Sequence, residues 1–61
     1  MNGFQRKLVN KLRSVLEKMN DYEQEFIVYL YVEDKNNPDT VLTDRQNKFL
    51  NNLSDRMQQY L

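Results

Sequence analysis

Sixty-one residues allow one domain at most, and a chain of that size buries only about 60% of the surface its unfolded form exposes. With no Cys and no His, a disulfide framework, a thiolate metal site and the commonest general base are excluded, so stability must come from helix packing, self-association or folding against a partner. Nine Lys/Arg balance nine Asp/Glu, but unevenly: residues 1–18 carry Arg6, Lys7, Lys11, Arg13 and Lys18 against Glu17 alone (net +4), residues 19–34 carry Asp21, Glu23, Glu25, Glu33 and Asp34 with no base (net −5), and residues 35–61 come to +1.

Met1 to Gly3 are expected to fray. From Phe4 the apolar positions Phe4, Leu8, Leu12, Val15, Leu16 and Met19 follow the spacing of one helical face, and the residues between them are good helix formers. The pattern predicts a first helix over residues 3–18. Asn20-Asp21-Tyr22-Glu23 fits a capping box, in which Asn20 caps and Glu23 reaches back three residues later. A second helix over residues 21–33 follows, with Tyr22, Phe26, Tyr29 and Leu30 expected on its core side. The run Phe26 to Val32 is rich in β-branched and aromatic residues and is equally compatible with a buried strand. Helix is preferred because no second segment offers strand pairing. Asn36-Asn37-Pro38-Asp39 is turn chemistry. Thr43-Asp44-Arg45-Gln46 repeats the capping box and opens a third helix over residues 44–60, with Phe49, Leu50, Leu53, Met57, Tyr60 and Leu61 on one face. The expectation is one all-α domain, a small three-helix bundle spanning residues 1–61.

No apolar stretch approaches the roughly 20 residues that cross a bilayer, and no signal-peptide pattern opens the chain. A cytoplasmic protein with no membrane partner is the expectation. Catalysis fails on inventory: the serines, threonines and tyrosines have no His or Cys partner, and no glycine-rich phosphate loop exists. The carboxylates Asp21, Glu23, Asp44 and Asp55 sit where helix caps and solvated faces place them. Asp34 and Asp39 flank an Asn-rich loop, but its spacing does not match a calcium-binding EF-hand. No enzyme activity, metal, cofactor or small-molecule substrate is expected.

Two surfaces remain. On the first helix Lys7, Lys11 and Lys18 edge the apolar arc, with Arg6 and Arg13 beyond its other edge beside Val9. These cations suit phosphate contacts with nucleic acid, extended by Arg45, Lys48 and Arg56 of the third helix. They equally suit internal pairing with the acidic second helix, and a basic amphipathic helix also suits a membrane surface. On the second helix Ile27, Val28, Tyr31 and Val32 lie away from the expected core side. That helix is therefore either central, buried between the other two, or it offers Val28, Tyr31 and Val32 to a protein partner or a second copy.

The residues Tyr22-Glu23-x-x-Phe26-Ile27-x-x-Leu30, followed by Leu42-Thr43-x-Arg45-Gln46, Leu50 and Leu53, carry a family pattern. Over about residues 20–56 the chain resembles the small helical module associated with the phage recombination helicase UvsW. Tyr22 stands where that pattern usually has Trp, the loop is longer than usual, and the first helix lies outside it. The resemblance implies a helical bundle tied to phage DNA replication and recombination, without catalytic residues. The first expectation is thus a non-catalytic accessory module contacting nucleic acid through Arg6, Lys7, Lys11, Arg13, Lys18, Arg45 and Lys48. The second is a small protein-binding adaptor, or an inhibitor of a host enzyme, acting through the second helix.

Overall fold

Reciprocal caps set where every helix begins. In the computed structural model, which describes residues 1–61, the chain forms α1 (Gly3–Arg13), α2 (Asp21–Asn36) and α3 (Asp44–Met57), with single 3-10 turns at Leu16–Lys18 and Gln58–Tyr60 and no strand. Asn20 with Glu23 and Thr43 with Gln46 make the two expected capping boxes. Asn2 with Gln5 makes a third, so the N-terminus is not frayed. The Gln5 N–H donates to Asn2 Oδ1 at 2.7 Å. Met1 is buried in the core, and its α-amine donates to the carbonyls of Pro38 (2.8 Å) and Thr40 (2.6 Å), which pins the α2–α3 loop to the start of α1.

The stretch Phe26 to Val32 lies wholly inside α2, which removes the strand alternative. The first helix is shorter than its apolar spacing predicts and ends at Arg13 rather than residue 18. The Ser14 hydroxyl donates back to the Lys11 carbonyl at 2.6 Å, and Val15 leaves the helical region at φ −124°, ψ 29°. Serine competing for backbone acceptors, followed by a β-branched residue, favours such a break. The 3-10 turn and extended Met19 then form a corner, where the Leu16 carbonyl, which also accepts the Met19 N–H, and the Met19 carbonyl accept from Gln24 Nε2 at 2.8 and 3.1 Å. α2 runs to Asn36, three residues beyond the expected end. α3 stops at Met57 and tightens into the 3-10 turn that follows it.

Arg6 near the start of α1 reaches Asp34 near the end of α2, and Arg56 near the end of α3 reaches Glu23 near the start of α2. α2 is therefore antiparallel to both neighbours. α1 approaches the other two helices most closely, backbone to backbone, so α1 rather than α2 is the central helix. The core is Met1, Val9, Leu12, Val15, Met19, Ile27, Leu30, Leu50, Leu53 and Met57. Two expected faces turn out rotated. On α1, Val9 is buried and Phe4 is exposed; on α2, Leu30 is buried as expected, but Ile27 joins it while Tyr22 and Tyr29 face out.

Candidate docking surfaces

Two carboxylates share the inward stripe of α2. Glu23 and Asp34 lie on the same stripe as Ile27 and Leu30 at helical spacing, and each is met by an arginine from a neighbouring helix. Glu23 is buried, pairs with Arg56, and accepts the Asn20 N–H at 3.0 Å. Asp34 takes a two-pronged grip from Arg6, with Nε and Nη2 each at 2.9 Å from one carboxylate oxygen. The Arg6 hydrogen bond, reinforced by its charge, holds the Asp34 carboxyl below its ordinary range. The same hydrogen bond holds the Arg6 guanidinium above its own. The bidentate Arg6–Asp34 contact is geometrically specific, and both pairs favour the side of α2 that also buries Ile27 and Leu30.

The consequence is an apolar outer face. Tyr22 (66% exposed), Val28 (46%), Tyr29 (53%) and Val32 (48%) stand side by side on it, accompanied by Asp21 and Glu25. Val28 and Val32 are thus exposed, as the protein-binding expectation requires. Tyr31 is not: it packs against the core, with the Arg13 guanidinium 3.8 Å from its ring centre and Lys35 5.3 Å away. Tyr22 and Tyr29 were missed by sequence reasoning, which placed them in the core. The overlooked signal was the set Glu23, Ile27, Leu30, Asp34, which has helical spacing but mixes acids with aliphatics.

Beside this face, α2 and α3 meet through side chains across an open groove of about 570 Å³. Tyr22, Phe26 and Phe49 form its floor, and Arg45, Gln46, Lys48 and Asn52 its α3 side. Phe26 and Phe49 stack tilted with ring centres 4.6 Å apart, and Tyr22 meets Phe49 edge-on at 5.6 Å, both favourable aromatic geometries. A smaller depression lined by Tyr22, Glu25, Phe26 and Tyr29 joins the groove to the outer face of α2. Across this continuous surface the charge changes sign, from Asp21 and Glu25 on one side to Arg45 and Lys48 on the other.

The seven cations assigned to nucleic acid do not form one patch. Arg6 is engaged by Asp34 and also donates to the Met1 and Pro38 carbonyls at 3.2 and 3.3 Å. Arg13 lies over Tyr31. Lys18 falls outside α1, in the 3-10 turn, 5.3 Å from the Tyr60 ring centre. Lys7 and Lys11 are exposed on the outer side of α1 around Phe4, itself 67% exposed, and neither makes an ion pair. Arg45 and Lys48 line the α2–α3 groove. Arg56, the further candidate on α3, is bound to Glu23. Nowhere do three Asp, Glu, His or Cys side chains converge as metal ligands, and no helix is long and apolar enough to cross a membrane.

Comparison with protein-family models, with curated proteins and with solved structures finds no match to this chain.

Proposed function

We propose that this chain is a non-catalytic docking module that holds a protein partner on the outer face of α2. One observation carries the reading: Tyr22, Val28, Tyr29 and Val32 are about half exposed on one side of α2, interleaved with Asp21 and Glu25, although the same helix turns two carboxylates inward. Exposed large apolar side chains mixed with charge suit a protein interface, and tyrosine is enriched in interfaces. Acting through this face, the module would serve as an adaptor, or as an inhibitor of the protein it covers. The test is affinity capture from a nuclease-treated lysate of the cell in which the chain is made. Wild-type chain should retain a discrete protein, and the Val28→Ala/Tyr29→Ala double variant should lose it. Equal retention by the two would sink the reading.

A second reading, nucleic-acid contact in DNA replication or recombination, is favoured by the outer side of α1. There Phe4 sits with two unpaired lysines, Lys7 and Lys11, a combination suited to a base and its flanking phosphates. Such binding weakens steeply with added salt. Lys7→Gln/Lys11→Gln should then abolish retention of labelled single-stranded DNA at low salt, and unchanged retention removes this alternative.

A further inference from the structure

The surface that runs from the outer face of α2 into the α2–α3 groove has an internal symmetry that selects its occupant. Tyr22 and Tyr29 lie near its middle, Asp21 and Glu25 on its α2 side, and Arg45 and Lys48 on its α3 side. A patch that is apolar at the centre and oppositely charged on its two sides matches itself when rotated by half a turn. The negative side of one copy then lies against the positive side of the other, twice over, which is the requirement of an isologous two-fold contact.

We propose that the occupant is a second copy of this chain, paired about a two-fold axis through the tyrosine cluster, with Asp21 and Glu25 of each copy facing Arg45 and Lys48 of the other. The inference rests on the docking reading of α2 and names its partner. Two further observations favour it. The 61-residue chain has neither disulfide nor metal-ligand cluster, and small scaffolds without such staples gain stability by oligomerising. The accessible surface is 4345 Å², so a standard contact of about 800 Å² per partner would take roughly a fifth of it. The alternative contact, in which the basic outer side of α1 meets the acidic side of α2 on another copy, is heterologous. It would build a ring or a filament rather than a two-fold dimer, and it would not involve Arg45 or Lys48.

Charge reversal tests the pairing. Wild-type chain in sedimentation velocity should shift from monomer to dimer as concentration rises through the micromolar range. Asp21→Lys/Glu25→Lys and Arg45→Glu/Lys48→Glu should each weaken the dimer by more than about tenfold, because like charges then face each other twice. An equimolar mixture of the two variants should restore a dimer containing one of each, since every reversed contact is then again a pair of opposite charges. Circular dichroism checks that the helices persist. Should Asp21→Lys unravel the first turn of α2, Glu25→Lys alone carries the same test. A wild-type chain that stays monomeric, variants that dimerise unchanged, or a mixture that fails to pair each overturns the two-fold contact. A monomer that still captures a protein through Val28 and Tyr29 overturns only the self-pairing; a monomer that captures nothing overturns the docking reading as well.

Discussion

The inner side of α2 carries Glu23, Ile27, Leu30 and Asp34, and its outer side carries Tyr22, Val28, Tyr29 and Val32. By hydropathy alone the assignment would be reversed for half of these residues. The difference lies in what the neighbouring helices supply. Arg56 of α3 and Arg6 of α1 reach the two acids, one near each end of α2, so no side-chain polar atom inside the bundle is left without a partner. Ile27 and Leu30 fill the middle of the stripe. In so small a bundle the inner face is chosen by the availability of charged partners as well as by apolar area, and the aromatics displaced outward become a surface for recognition.

This contrast is sharpest when equivalent truncations are made on the two sides. Ile27→Ala or Leu30→Ala opens a cavity at a fully buried position and should cost about 2–5 kcal/mol, a large share of the roughly 3–9 kcal/mol expected of a domain this size. Tyr29→Ala, measured where the chain is monomeric, should change stability by no more than about 0.5 kcal/mol. Comparable losses from both sides, in urea melts followed by circular dichroism, would erase the distinction between a structural and a recognition face. Next in size is Glu23→Ala, which removes both the N-terminal cap partner and the contact with Arg56. It should cost about 1–2 kcal/mol. Glu23→Gln keeps the capping acceptor and should recover part of that loss. If glutamine is as damaging as alanine, the charge on Glu23 matters more than the cap.

The bundle was legible in the sequence wherever a local rule decides. Asn20 with Glu23 and Thr43 with Gln46 mark the starts of α2 and α3 because a capping box is closed by residues three apart. The core positions Leu50, Leu53 and Met57 follow because α3 buries aliphatics with no competing polar residue except small Ser54. What could not be read depends on contacts distant in sequence. The inward face of α2 needs Arg6 and Arg56, which lie 28 and 33 positions from their acids. The end of α1 at Arg13 depends on a serine back-bond that the apolar spacing through Met19 conceals. For the candidate surfaces, Val28 and Val32 were legible as surplus apolar residues, whereas Tyr22 and Tyr29 were assigned inward because aromatic residues usually are the larger burial gain.

The least costly way to challenge the contrast is with acid, because the inner face carries a carboxylate gripped by an arginine of another helix. Asp34, held below the ordinary aspartate range by Arg6, favours folding only while ionised. Its contribution is fully present above the unfolded-state value of around 4 and is lost as pH falls through the lower folded-state value. Arg6 is shifted the opposite way; its contribution is present below the unfolded value, and it stays charged throughout the accessible range. The acid limb of this contact therefore belongs to Asp34 alone. Asp34→Asn should lower the melting temperature at neutral pH, and the gap from wild type should close as pH drops below about 4. Val32→Ala on the outer face should show a gap that does not vary with pH. Thermal melts from neutral to strongly acidic buffer measure both. A constant gap for Asp34→Asn would mean that this residue orients α2 by packing and neutral hydrogen bonding rather than through its charge.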